Sequence, residues 1–402
     1  MKTQSQTRPN LVRLKDLAPR TGSALKAGPF GSAIKKEDYV SAGYKIYGQE
    51  QVIKGDAFWG DYWIDETKFL QLKSCAVNPG DLLVSLVGTI GKVLVIPSDA
   101  PEGVINPRLL RIRVNHEVVI PSYLKHVLEA ESTVRLLKRW SQGGTMDVLN
   151  AEILGQLSVP LPSLAAQKYL IDVMHEWDTA IQKTEQLVAA KQQHYSHELS
   201  HLISRDLHPH GHVGTIAEEV SARNRGGNEA RVLSVTNSRG FVLPEDQFER
   251  RVASADLSNY KIVRRGQYAY NPSRINVGSI ARLNGWDDGV LSPMYVVFRL
   301  DDAKIDSDYF LHWLNSHEAR QRIKNSAQGS VRETVSFSEF AALMIPLPDT
   351  VTQTDTARYL NALREEIDLL SQSVAALKTQ KRGLMQKLLT GQWQLPVQEE
   401  AS

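Results

Sequence analysis

The string in this chain that looks most like an enzyme is His197-Glu198-Leu199-Ser200-His201. Two histidines one helical turn apart can hold zinc beside a general-base glutamate, as in many metallopeptidases. Its surroundings argue against that use. The chain repeats itself at a spacing of 186 residues, and the duplicate string, Gly383-Leu384-Met385-Gln386-Lys387, has no metal ligand. Glu198 falls on the seam of a heptad pattern, and Leu207 stands where the longer motif needs a third histidine. His194, His208, His210 and His212 read more simply as exposed helix and linker residues. No metal and no catalytic residue are expected.

Other candidates for chemistry are as thin. Gly88-Thr89-Ile90-Gly91-Lys92 hints at a phosphate loop but lacks the spacing and the following Ser/Thr of a Walker A motif. Tyr270-Asn271-Pro272-Ser273 lacks the second proline and the aromatic of the adenine-methyltransferase motif, and no Gly-rich loop suits a methyl donor. The single cysteine, Cys75, lies in Leu-Lys-Ser-Cys-Ala-Val and reads as a buried strand residue. It excludes an intrachain disulfide framework and fits a reducing, cytoplasmic setting. No cofactor is expected, and no covalent chemistry.

What remains suits nucleic acid. Gly28-Pro29-Phe30-Gly31-Ser32, followed by Lys35 and Lys36, is a Gly-rich turn with cations that could bring amides and ammonium groups to phosphate. Arg108, Arg111 and Arg113 are read as alternating along one strand and so sharing one face. Arg135, Lys138 and Arg139 precede the polar loop Ser141-Gln142-Gly143-Gly144-Thr145; Arg320, Arg322 and Lys324 precede its counterpart, Ala327-Gln328-Gly329-Ser330-Val331-Arg332. Amide and guanidinium groups on loops are what base-edge reading requires. Lys35, Lys36, Lys92, Arg108, Gln142, Thr145, Arg274, Gln328 and Arg332 form the expected DNA-contact set. A formal charge of +2 is too small to announce DNA binding by itself, so affinity must come from local patches.

The elements that would carry these loops are duplicated. Val159-Pro160-Leu161-Pro162 matches Ile345-Pro346-Leu347-Pro348, and the same spacing pairs Tyr123 with Tyr309, His126 with His312 and Gln167 with Gln353. Near the front the spacing becomes 199 (Ala18 with Ala217), so the first unit holds 13 extra residues in its N-terminal half. Each unit reads as a mixed α/β half followed by a long helix, an α+β chain overall. Short β-rich runs are expected at Leu82–Val87 and Val93–Ile96, and helices at Ser122–Trp140 and Ser307–Lys324. In the last helix Leu363, Leu370, Leu377 and Leu384 recur every seven residues; in the first long helix Met174, Ile181, Val188 and Leu202 lie on the corresponding line. Such a/d stripes need a partner, and the obvious partner of each helix is the other. Composition is that of a globular protein of two or three domains, with no apolar leader in Met1–Asn10 and no stretch long enough to span a membrane.

The Gly-Pro-Phe-Gly-Ser loop, the Gly-Thr-Ile-Gly-Lys segment, the Gly-Gly-Thr loop, the Pro160–Gln167 helix start and the ending Lys381–Gly391 together resemble the specificity subunit of type I restriction-modification systems. The first helix departs from that pattern, offering Tyr195-Ser196-His197-Glu198-Leu199 in place of Lys-Arg-Gly-Leu-Leu. The resemblance implies two target recognition domains (1–162 and 205–348), two spacer helices (163–204 and 349–391) pairing as an antiparallel coiled coil with pseudo-twofold symmetry, and a flexible tail at 392–402. It also implies a non-catalytic reader of a bipartite DNA site with a fixed gap, acting in DNA methylation and phage defence. Its partners would be double-stranded DNA, two methyltransferase subunits and restriction motor-nuclease subunits. Two rivals are an orphan or regulatory DNA-binding protein without a methyltransferase, which neighbouring genes would distinguish, and a zinc hydrolase, which predicts bound zinc and inactivation by Glu198→Gln.

Overall fold

The structure is a computed structural model that describes residues 10–30, 33–86, 90–141, 150–203, 208–227, 229, 231–246, 256–328, 334–389 and 392. It divides into two units, residues 1–184 with 373–402, and residues 185–372. Each unit therefore takes part of its core from both long helices.

Unit 1 contains β1 (Leu11–Arg13), β2 (Leu25–Ala27), β3 (Tyr39–Val40), β4 (Tyr44–Tyr47), α1 (Gln49–Lys54), β5 (Trp63–Ile64), α2 (Glu66–Gln71), β6 (Ala76–Val77), β7 (Leu82–Ser85), β8 (Val93–Val95), β9 (Gly103–Ile105) and β10 (Leu109–Ile112). There follow α3 (Pro121–Glu129), α4 (Glu131–Ser141), α5 (Ala151–Gly155), β11 (Ser158–Pro160) and the first half of α6 (Leu164–Leu202). Its central sheet has the antiparallel order β2-β10-β7-β8, and β1 pairs with β11 to bring the chain back to the helix. A second sheet, β3-β5-β4-β9-β6, covers a separate apolar cluster that includes Tyr47, Ile64, Phe69 and Val104. Cys75 is buried, in a short 3-10 turn (Lys73–Cys75) just before β6 rather than on a strand.

Unit 2 contains the rest of α6, then β12 (His210–His212), β13 (Ala217–Glu219), β14 (Ser234–Thr236), β15 (Gly240–Val242), β16 (Lys261–Arg264), β17 (Tyr268–Tyr270), β18 (Ile280–Arg282), β19 (Asp288–Leu291) and β20 (Val296–Leu300). It continues with α7 (Ser307–Asn315), α8 (His317–Gln328), α9 (Phe337–Ala341), β21 (Met344–Pro346) and the first half of α10 (Thr350–Leu389). The order β13-β20-β17-β18 repeats that of unit 1, as does the β12–β21 pair. Helix and strand starts keep the register, 307 − 121 = 186 for α7 against α3 and 344 − 158 = 186 for β21 against β11. At the front it is 210 − 11 = 199 for β12 against β1. The units differ most where unit 1 builds its five-stranded sheet and unit 2 has the two small pairs β14-β15 and β16-β19.

The sequence suggests one helix at Ser122–Trp140 and one at Ser307–Lys324, but each is broken, at Ala130 and Ser316, where the backbone turns extended. Both breaks fall at duplicate positions. The Ser316 hydroxyl caps the following helix by accepting from Ala319 N–H, whereas Ala130 has no side chain to announce its turn.

The long helices start alike because the same residues stop the preceding strand. Proline ends β11 and β21, Ser163 and Asp349 accept from helix N–H groups, and Gln167 and Gln353 are buried one turn on. Tyr123 donates to the carbonyl of Pro160 at 2.7 Å, and Tyr309 to that of Pro346 at 3.2 Å. Within unit 1, Leu170 and Met174 of α6 share a core with Met385 of α10, and Lys381 bonds Asp178. Within unit 2, Leu199 and Ile203 of α6 join Leu360 and Leu363 of α10, and Lys191 pairs with Glu366 at 2.8 Å. Of the heptad residues named from the sequence, Met174, Ile181 and Leu363 are buried, and Val188, Leu202, Leu370, Leu377 and Leu384 half-buried. No helix among the described residues is long and apolar enough to cross a membrane.

The paired histidines sit where the helices meet each globular half. In unit 1 a cavity of about 600 Å³ is lined by His126, Lys92, Lys138, Asp178, Lys381 and Arg382. Burial, then the Lys381 ammonium, pushes His126 down to about 4. In unit 2 His312 Nε2 donates to Asn361 Oδ1 at 2.9 Å and its Nδ1 accepts from Tyr195 Oη at 3.0 Å, and burial lowers it too. The folded state thus takes up a proton at His126 later than the unfolded chain, whose histidine titrates near 6.5. The stabilisation is complete above about pH 6.5 and lost as pH falls towards 4. At pH 5 the loss from His126 should be about 1–2 kcal/mol after allowing for partial exposure. Denaturant midpoints at pH 7 and pH 5 should show it, and His126→Gln should shrink it; equal pH dependence in both proteins would refute the assignment.

Candidate nucleic-acid interface

In unit 1 the antiparallel register places four chain segments at one end of the central sheet. Ser85 pairs with Leu109, Ala27 with Leu110, and Val84 with Val93, so the exit of β2, the exit of β7 and the entries of β8 and β10 lie together. These four ends carry Gly28-Pro29-Phe30, Leu86, Lys92 and Arg108. Leu86 N–H donates to the Arg108 carbonyl at 3.1 Å, and Ser85 N–H to the Lys92 carbonyl at 3.3 Å. The side chains of Lys92 and Arg108 are exposed, and Phe30 is 93% exposed beside them in sequence order on the first turn. Gln49, at the start of α1, reaches the same end and donates to Ser85 Oγ at 2.6 Å. An edge with two cations, an amide and an exposed ring can meet phosphates and bases together.

The glycines of this edge have backbone roles, not the phosphate-cradling role their spacing suggests. Gly28 N–H is already given to the Leu109 carbonyl, and a Cβ on Gly28 would stand 1.9 Å from the Asn106 carbonyl oxygen. Gly91 has φ +90°, and its counterpart Gly278 in unit 2, before β18, has φ +93°. Both supply the left-handed turn that lets the chain re-enter the sheet. Gly28→Ala should therefore push the Gly28–Phe30 turn off the Asn106–Arg108 segment, at a cost of about 2–3 kcal/mol. A DNA-binding assay on this variant should show weakened binding. Unchanged stability and binding would mean that the close approach is dispensable.

The three arginines are not one face. Arg108 lies three residues from Arg111, an odd offset, so on a period of two it points the other way. Arg111 is buried, donates to the Ala76 carbonyl, and is lowered by burial and then by Arg113. Arg113 grips the buried Asp81 with bonds of 2.7 and 2.6 Å. Those two charges are spent joining the two sheets of unit 1, and only Arg108 is available at the surface. Lys35 and Lys36 are exposed on a short 3-10 turn, where Lys35 N–H donates to Asp38 and Lys68 pairs with the same carboxylate at 3.1 Å.

Unit 2 presents the same end of its sheet with other residues. Tyr270 pairs with Val296 and with Ile280, which places the Asn271–Gly278 turn there, together with Met294 ahead of β20. Arg274 is exposed on that turn, and Met294, the duplicate of Arg108, is 59% exposed. Asn271 is a turn former: its Oδ1 accepts from Ser273 N–H at 3.1 Å. The Pro272 carbonyl accepts from Val335 N–H, so the chain that follows α8 returns to this turn. Gln328 ends α8, and Gln142, Thr145 and Arg332 lie outside the described residues. Sequence inspection passed over Gln49, Met294 and the Asn237-Ser238-Arg239-Gly240 hairpin tip; only the last had a signal, an Asn/Ser/Gly cluster between apolar runs.

His197 and His201 stack at 6.4 Å, exposed on one face of α6. Among the described residues no group of three or more His, Cys, Asp or Glu could hold a metal ion.

Residues 12–190 match the family described as "Type I restriction modification DNA specificity domain". The chain as a whole is similar to proteins named as type I restriction enzyme specificity subunits. It is similar to the type I restriction enzyme MjaVIII specificity subunit of Methanocaldococcus jannaschii, at 19% identity over 81% of this chain and 82% of that one. In fold it resembles the HsdS subunit of Thermoanaerobacter tengcongensis (TM-score 0.52, 14% identity, 96% of this chain and 98% of that one). It also resembles the type I S subunit of M. genitalium (TM-score 0.54, 14% identity, 97% and 98%).

Proposed function

We propose that this subunit reads a split DNA sequence, one half with each unit, and holds the two halves at a fixed gap. The observation supporting it is that both units build the same sheet end, with exposed side chains that differ: Arg108 against Met294 at the 186-residue spacing. A shared frame with unlike residues suits two half-sites of unlike sequence. The reader segments are 1–162 and 205–348, the spacers 163–204 and 349–391. Helices of 39 and 40 residues are about 60 Å long, enough to span separate major-groove stretches of one duplex. Two methyltransferase subunits and restriction motor-nuclease subunits dock on this frame in the cytoplasm, and with a net charge of +2 the subunit relies on them to close around DNA. Co-expression with the methyltransferase encoded beside it, followed by mapping of methylated adenines, should return a two-part motif with one gap length. A continuous motif, or methylation without a motif, would refute this function.

A further inference from the structure

Unit 2 has a second turn at the reading edge that the duplication does not account for. The β14–β15 hairpin reverses at Asn237-Ser238-Arg239, all three exposed. Thr236 Oγ1 accepts from Arg239 N–H at 3.0 Å and donates to the Gly240 carbonyl at 3.1 Å, while Gly240, at φ +63°, completes the reversal. This tip is locked to the Asn271–Gly278 turn. Ser279, 3% exposed, donates its hydroxyl to the Val235 carbonyl at 2.8 Å, and a Cβ on Gly278 would stand 3.7 Å from that of Asn237. The Asn271–Gly278 turn is itself closed by backbone bonds from Arg274, Val277, Gly278 and Ser279. Two preorganised turns thus meet where Asn237 approaches Gly278, next in sequence to Val277, which is 60% exposed; Arg239 and Arg274 are exposed on the same two turns.

We propose that these two interlocked turns are the base-reading element of unit 2, with Asn237, Arg239 and Arg274 bonding base edges and Val277 packing on a thymine methyl in the major groove. The inference rests on the DNA-reading function above and adds which residues specify the sequence. Asparagine pairs bidentately with adenine and arginine with guanine, and a small apolar group fits the thymine methyl, so the set is chemically that of base readout. An exposed valine has nothing to offer a phosphate, so the set is more than a phosphate clamp. Because the turns are fixed by buried and backbone bonds, little ordering is left to be done on binding.

The test uses the full chain co-expressed with its methyltransferase, comparing methylated motifs for the native protein and for Asn237→Ala, Arg239→Ala, Arg274→Ala, Arg274→Lys and Val277→Ala. Each alanine variant should relax one position in the same half of the motif, with discrimination there falling about tenfold to a hundredfold and the other half and the gap kept. Arg274→Lys should relax the same position as Arg274→Ala, since an ammonium keeps the charge but loses the bidentate fork. An unchanged motif in all variants overturns the inference, and so does uniform loss at every site with Arg274→Lys behaving as native, which marks a phosphate contact. In both of those cases the native motif still stands and only the inference falls. A native protein without any motif removes the DNA-reading function itself.

Discussion

Gln353→Ala should cost unit 2 about 3 kcal/mol, and Gln167→Ala should cost unit 1 a similar amount. Gln353 is 1% exposed and makes three bonds: Oε1 accepts from Asp306 N–H at 2.8 Å, and Nε2 donates to the carbonyls of Lys304 and Pro348 at 3.2 and 2.8 Å. Gln167, 0% exposed, makes the same set with Ile120, Val118 and Pro162 at 2.8 to 2.9 Å. Each amide therefore ties the first turn of a long helix to the Pro-Leu-Pro exit and to the loop entering α3 or α7. Alanine leaves three backbone groups without partners in a buried place and opens a cavity besides. Gln353→Glu should be worse than alanine, since it turns two N–H donors into an oxygen facing two carbonyls. Urea unfolding of each single variant, followed by circular dichroism, would measure both losses. A shift under about 1 kcal/mol, or a milder effect for glutamate than for alanine, would show that these duplicated amides are not structural keystones.

Inserting four helical residues after Ala189 and four more after Ala375 should lengthen the spacing of the DNA motif and leave both half-sequences alone. Both sites are exposed positions near the places where each long helix passes from one unit to the other. Four residues add about 6 Å of helix, which is one or two base pairs at about 3.4 Å each. Both helices must be lengthened, because each unit draws on both; an insertion in one alone leaves the other as a tether. Methylome mapping reads the outcome directly. Altered half-sequences with an unchanged gap would separate the spacers from gap length.

Much of the frame was legible because duplication compares the chain with itself. The 186-residue register marks the helix starts, the paired tyrosines and both glutamines in the sequence itself, and the heptads mark the residues shielded along α6 and α10. The candidate DNA-contact edge was only partly visible. Gly28, Lys92 and Arg108 come from three distant stretches, and it is the antiparallel register of β2, β10, β7 and β8 that gathers them. Arg111 and Arg113 could not be told from surface cations by local pattern, since what consumes them, Asp81 and the Ala76 carbonyl, is more than thirty residues away. The break at Ala130 had no signal because alanine neither caps nor stops a helix.

The sharing of each long helix between units has a consequence for how the protein is made. Unit 1 begins with the first described residues, yet its core includes Met385, with Leu384 and Leu388 packed against it. While the ribosome adds the residues between 184 and 373, the Leu170 and Met174 side of α6 waits without that cover, for about 10–40 s at ordinary elongation rates. All the α6 and α10 residues assigned to unit 2 are synthesised before those that close unit 1. The half begun first is thus finished last, and a released chain truncated near residue 372 would hold a complete second unit and an open first one.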